Sequence, residues 1–230
     1  MKYFYTIALL FCPVLIFGQP YICVGCPDDN HPHALDLGLP SGVKWACCNV
    51  GANKPGDDGK YFAWGETEPR AVFYYDNYKF YDPSGPTIYK FIGNNIAASQ
   101  YDAATILWGD DWCLPTDEEC KELIRHCKVE YISYDDKEGA LFTSPNGNRL
   151  WMPFAGQRES ENCRDYGEKG YYWTSVPDKT DSMLAFFMDV TISNSSVYLG
   201  CRNCGYCIRP VQKKNNNEKT SGNSSDVEAP

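Results

Sequence analysis

The sequence has little histidine, three residues in 230, and no excess of basic charge, with 21 Lys and Arg against 30 Asp and Glu. A formal charge of -9 without a basic cluster excludes the electrostatic footprint of a duplex-binding protein, so no nucleic-acid partner is expected. No G-x-S-x-G elbow, phosphate-cradling glycine loop or H-E-x-x-H helix occurs, and no internal repeat. No catalytic residue is therefore assigned. Beyond residue 18 no apolar run is long enough to span a bilayer.

What the chain does contain begins at its start. Lys2 precedes an almost wholly apolar run over residues 3–17, and Gly18 follows as a small residue. That layout predicts a cleaved signal peptide over 1–18 and export to the periplasm, the cell surface or the medium, with no membrane span after cleavage. Twelve cysteines, eleven of them after residue 18, predict disulfides in an oxidising compartment, and the odd number leaves one thiol unpaired or pairing with another chain. Residues 19–33, with Pro20, Pro27 and Pro32, read as a linker. Residues 212–230 hold almost no apolar side chain and are expected to be a disordered polar tail. Residues 34–211 form one compositionally even block, a single domain.

Two helices are legible in that block. Asp102 is a candidate N-cap for residues 102–108. Thr116 and Glu119 make a capping box, followed by Cys120, Leu123, Ile124 and Cys127 along one face. Residues 140–143 and 149–153 flank Asn146-Gly147 and predict a hairpin, because both turn positions tolerate positive φ. Residues 171–175 and 184–190 read as strands, and 197–199 with 206–211 as a second hairpin around the turn 200–205. Residues 51–95 read as long loop. Helices early and strands late predict an α+β fold with an antiparallel sheet.

Four segments carry a family resemblance: LDLGLPSGVKWACCNVGA (35–52), YFAWGET (61–67), DAATILWGDDWCLPTDEECKEL (102–123), and GYYWTSV with YCIRPV (170–176 and 206–211). In this order they resemble the Fibrobacter succinogenes major paralogous domain family of exported Bacteroidetes proteins. The resemblance implies a C-type-lectin-like fold, short antiparallel strands with two helices and long loops, in the broad group that includes formylglycine-generating enzymes. It implies no established activity. Cys113 and Cys120 depart from the family pattern, as do Cys47, Cys201, Cys204 and Cys207, whereas Cys48 and Cys127 match positions where relatives often carry cysteine.

Several constellations bear on chemistry. Cys23, Cys26, His31 and His33 are four zinc-capable donors within eleven residues, but the stretch is stiffened by Pro27 and Pro32 and its spacing is tighter than in known zinc modules, so a Cys23–Cys26 disulfide is expected and no metal is assigned. Cys201 and Cys207 face each other if 197–211 is a hairpin, with Cys204 on the other side. The disulfide candidates are thus Cys23, Cys26, Cys48, Cys127, Cys201 and Cys207. The lectin resemblance leaves calcium open, with Asp57, Asp58, Asp110 and Asp111 as donors, although the Glu-Pro-Asn, Gln-Pro-Asp and Trp-Asn-Asp motifs are absent. Residues 71–91 hold eight aromatics in twenty-one residues, which either pin a long loop to the core or stack on sugar faces. The ligand-binding candidates are Tyr75, Tyr78 and Tyr81 from this stretch, and Arg158, Tyr198, Arg202 and Asn203 from the late loops. The expected function is an exported, non-enzymatic binding module for a glycan or a surface protein. The alternatives are a thiol- or metal-dependent oxidoreductase using Cys201, Cys204 or Cys207, and a structural surface protein.

Overall fold

In the computed structural model, residues 30–213 are described, and both helices start at the caps that the sequence supplies. Helix α1 (Ala103–Trp108) begins at Asp102, whose carboxylate accepts from the backbone N–H of Ala104 (2.9 Å) and Thr105 (3.3 Å). The same buried carboxylate accepts from Ala98 N–H (2.9 Å) and Leu114 N–H (2.8 Å), so one side chain caps a helix and ties down the loops on either side of it. Helix α2 (Asp117–His126) carries the full capping box: Glu119 N–H donates to Thr116 Oγ1 and Thr116 N–H donates to Glu119 Oε2. Cys120 and Leu123 are buried along its inner face.

The strands form four small sheets, and every ladder in them is antiparallel. β1 (Ala34–Asp36) and β11 (Val211–Gln212) flank β2 (Lys44–Ala46), which brings the two ends of the described chain together. β3 (Lys128–Tyr134), β4 (Lys137–Thr143) and β5 (Arg149–Pro153) form a meander, and Gly147 (φ 86°) turns the expected hairpin between the last two. β6 (Gln157–Glu159) pairs with β7 (Asn162–Arg164). β8 (Lys169–Pro177), β9 (Leu184–Thr191) and β10 (Ser195–Cys201) form the sheet around which the domain is organised. This is an α+β architecture of small, mostly antiparallel sheets with two helices.

Most of that sheet lies between two apolar layers, because β8 and β9 carry buried side chains on both faces while β10 is partly exposed. Tyr172, Met188 and Val190 pack with Cys120 and Leu123 of α2. Trp173, Phe187 and Ala185 face the opposite way and pack with Trp64, Trp112 and Tyr206. The second expected hairpin does not form. Residues 206–211 turn away from β10: Cys207 bridges Tyr172 in parallel, and Val211 joins β2. The physical reason is burial on all sides. Tyr206, Cys207, Ile208, Arg209 and Val211 are all buried, which an edge strand paired on one side with β10 would not allow.

The long stretch from Cys47 to Asp102 contains neither helix nor extended strand, so it is tied to the domain by isolated backbone bonds, such as Phe62 N–H to the Tyr206 carbonyl (3.0 Å) and Trp64 N–H to the Arg202 carbonyl (2.8 Å), and by side-chain bonds. Tyr61 Oη donates to the Ala155 carbonyl, Tyr78 Oη to Trp64, Trp64 Nε1 to Thr174, Trp173 Nε1 to Phe62, and Asn49 Nδ2 to Asp58. Asp102→Ala removes the acceptor of four N–H groups, three of them buried. It is expected to lower the unfolding free energy by at least about 3 kcal/mol, measured by urea titration followed by circular dichroism.

Candidate functional site

An open recess lies on the face of the β8–β9–β10 sheet away from α2, at its far end. The register places Tyr171, Asp189 and Ser196 side by side, with Trp173, Phe187 and Tyr198 as the next row and Lys169 opposite Thr191 beyond. Side chains two apart share a face, so these rows build one surface. An open groove of about 720 Å³ runs over it, lined by Lys169, Asp189, Thr191, Asn194, Ser196 and Tyr198 among others. Its aromatic wall is fixed from below: Tyr171 stacks on Phe187 at 5.5 Å, and Phe187 lies 6.4 Å from the Tyr198 ring, which is 50% exposed. Tyr171 Oη donates to Asp165 Oδ2 at 2.6 Å. Asp189 Oδ1 is shielded from solvent and has no hydrogen-bond partner. Burial holds the Asp189 carboxyl above its ordinary range; Lys169 opposes that shift and Asp165 adds to it.

The ligand-binding candidates separate into an inner and an outer group. Tyr198 is on the groove. Tyr75 is exposed and Tyr81 half-buried, with their rings edge-to-face at 5.6 Å. Arg158 is half-buried over the Tyr61 ring at 4.9 Å, and its backbone is bonded to Gly205. Tyr78, Arg202 and Asn203 are buried, which corrects their assignment to a surface. Arg202 Nε donates to Tyr78 Oη at 3.1 Å, and its Nη1 donates to the carbonyls of Ser182 (2.8 Å) and Lys90 (3.2 Å). Its guanidinium sits 4.5 Å from the Trp64 ring centre and 5.5 Å from that of Tyr78. Asn203 Oδ1 accepts from Tyr89 Oη at 3.0 Å. Arginine and tyrosine are the side chains expected at a binding surface, but here the guanidinium supplies donors to loop carbonyls that no sheet satisfies. The inner rings Phe73, Tyr78, Phe80 and Tyr89 thereby pin the aromatic loop to the core, while Tyr74, Tyr75 and Phe91 remain outside.

The calcium candidates are dispersed. Asp57 Oδ2 accepts from Asn53 N–H, and Asp58 pairs with Lys137 Nζ at 3.2 Å and accepts from Tyr166 Oη. Asp110 and Asp111 line a shallow depression that also holds Lys213, a competing cation. A different set of metal-capable groups converges: His31 Nδ1, His33 Nδ1 and Cys47 Sγ lie within 4.8 Å of one another. His31 and His33 stand out in the sequence, whereas Cys47 is brought to them by the β1–β2 pairing. Cys47 N–H donates to the His33 carbonyl (2.9 Å) directly beyond the Ala34–Ala46 pair.

No protein-family model, curated protein or solved structure matches the chain.

All nine cysteines among the described residues are free thiols, and Cys23 and Cys26 lie outside those residues. The bridges expected at Cys48, Cys127, Cys201 and Cys207 are therefore not formed. Cys48 and Cys127 are small apolar members of one core cluster, and burial raises the Cys127 thiol to about 11. Cys207 is buried against β8 while Cys201 is exposed at the end of β10, so the missing hairpin takes them apart. The turn instead sets Cys201 against Cys204, whose N–H donates to the Cys201 carbonyl at 2.9 Å. A thiol–thiol hydrogen bond from Cys204 pulls Cys201 down to about 7 against the opposing effect of burial, and pushes Cys204 up.

Two outcomes follow from this geometry. Arg202→Ala is expected to destabilise the fold by roughly 3 kcal/mol and to open the aromatic loop to limited proteolysis near Tyr74–Asn77, as expected of a structural cation and not of a ligand contact. In the reduced protein Cys201 reacts as its thiolate, so its alkylation rate should rise as pH increases through about 7 and not through the ~8.5 of an ordinary thiol. Cys204→Ala should move that midpoint upward, read by mass spectrometry of the alkylated peptide.

Proposed function

We propose that this protein is an exported, non-enzymatic binding module that recognises a glycan through the groove on the β8–β9–β10 sheet. The observation that carries this reading is the pairing of a half-exposed Tyr198 ring with a polar rim of Lys169, Asp189, Thr191, Asn194 and Ser196. A sugar presents an apolar face and a ring of hydroxyls; an aromatic platform beside convergent donors and acceptors answers both. The unpartnered Asp189 oxygen is a cost of burial, and a turn of that carboxylate toward a ligand hydroxyl relieves it. The outer Tyr75–Tyr81 pair is a second aromatic surface of the same kind.

Membership of the Fibrobacter succinogenes major paralogous domain family and a C-type-lectin-like fold are part of the same proposal. The segments that carry the resemblance supply Trp45, Trp64, Trp112, Trp173, Tyr206 and Val211, all buried, so the likeness lies in core-building residues. Export rests on the apolar run at residues 3–17, outside the described residues. No helix among the described residues is long and apolar enough to cross a membrane.

A second reading, a thiol oxidoreductase, is favoured by one observation: Cys201 is exposed, acidified and bonded to a second thiol two residues further than its neighbour. In such a reaction the Cys201 thiolate attacks a substrate disulfide, one substrate sulfur leaves, and Cys204 then displaces the second, ending as a Cys201–Cys204 disulfide and two substrate thiols that carry the protons given up by Cys201 and Cys204.

On a glycan array followed by calorimetry, Tyr198→Ala is expected to weaken the best ligand at least about tenfold while the melting temperature is unchanged, because an exposed stacking ring contributes on the order of 1–2 kcal/mol. Full affinity in Tyr198→Ala and Asp189→Asn would remove the groove from the proposal. Reduction of a disulfide substrate that is lost in Cys201→Ser would favour the second reading.

A further inference from the structure

We propose that His31, His33 and Cys47 form a binding site for one transition-metal ion, zinc by its donor set and geometry, which clamps the chain entering the domain to the end of β2. The His31 and His33 Nδ1 atoms are 3.2 Å apart, Cys47 Sγ is 3.2 Å from the first and 3.9 Å from the second, and the two imidazole planes cross at 85° with centres 5.0 Å apart. An ion placed about 2.05 Å from each nitrogen and about 2.3 Å from sulfur subtends angles of about 103°, 95° and 127° at these atoms. Their total is about 325°, close to the roughly 328° of three corners of a tetrahedron and well short of a flat trigonal centre. The three atoms thus stand near the spacing of a tetrahedral ion, with the two nitrogen–sulfur angles falling on either side of the ideal value of about 109°.

The donor types select among metals. One thiolate and two imidazoles suit zinc and its borderline neighbours, while calcium and magnesium require oxygen. The surroundings hold the donors in place. Cys47 is buried and the two histidines half-buried. The His33 backbone N–H donates to Cys47 Sγ at 3.1 Å, as outer groups around metal thiolates do. On the far side, Arg209 Nη1 donates to the carbonyls of Ala46 and Cys47, so the cysteine's backbone is fixed from within the core. The fourth corner is outside what His31, His33 and Cys47 supply, and the proposal concerns these three donors alone. It rests on the segment entering the domain and on the end of β2, and is independent of the groove.

The experiment uses the full chain, reduced, stripped with chelator and titrated with zinc and then cobalt. One equivalent of zinc is expected. Cobalt should give the visible bands of a four-coordinate ion and a near-ultraviolet thiolate charge-transfer band. Cys47→Ser should abolish the charge-transfer band. His31→Ala and His33→Ala should each weaken zinc at least about tenfold, while His126→Ala, at the exposed end of α2, should leave both readouts unchanged. Circular dichroism of the metal-free variants checks folding, and the two half-buried histidines carry the test if Cys47→Ser does not fold. Absence of stoichiometric metal would overturn the proposal, and so would affinity retained in both His31→Ala and His33→Ala, which would assign the metal to other donors.

Discussion

Two buried arginines, Arg202 and Arg209, are the interactions on which the remainder of this structure depends. Neither meets a carboxylate. Arg209 is fully buried and donates to Asn49 Oδ1 (2.7 Å) and to the carbonyls of Trp151 (2.8 Å), Ala46 and Cys47. Arg202 donates to Lys90 and Ser182 within a box of Trp64, Tyr78 and Tyr89. Removing a guanidinium from water is costly, and burial lowers the Arg209 pKa accordingly. The return is that carbonyls from separate parts of the chain are joined at one point: Ala46, Cys47 and Trp151 by Arg209, and Lys90 and Ser182 by Arg202. A long loop left to itself would be an unfavourable thing to bury.

The consequence is a division of labour between rigid and accessible parts. The β8–β9–β10 sheet is clamped by α2 on one face and by the Trp64–Trp112–Tyr206 layer on the other, and its far end is left open as a groove. Gly205 shows how tight the clamp is: a Cβ there would come within 2.5 Å of the Phe73 ring. The aromatic loop, anchored through Phe73, Tyr78 and Tyr89, is part of the same interior, so its outward rings rest on a fixed base. The entry of the chain is fixed separately, where His33 and Cys47 extend the β1–β2 ladder.

Much of the local structure was legible because its causes are local. The Asp102 and Thr116 caps, the stripe on α2 and the Asn146-Gly147 turn depend on residues within one or two turns of each other. The strands β1, β2 and β3 were not legible. β1 and β2 have three residues each, too few to show a period, and β3 is half-exposed with no clear alternation. The late hairpin was misread because residues 197–211 carry a turn signal at Gly200 and Gly205, while their true partners, Tyr172 and Trp45, lie far back in the chain. Of the candidate site, Tyr198 could be picked from its type and position. Asp189 could not, since a lone acid in an apolar strand gives no sign of what will stand beside it.

The sequence by itself determined the helices and their caps, the loop-rich middle, the apolar set that makes the core and the acidic surface. Each follows from propensity, periodicity or composition, which act over a few residues. Only the tertiary structure decided which polar side chains turn inward and which thiols meet. Arg202 and Tyr78 became internal supports, Cys201 met Cys204 and not Cys207, and Cys47 came to His31 and His33. The physical reason is that a buried donor goes where unpaired carbonyls are, and those positions are set by contacts between segments distant in the chain.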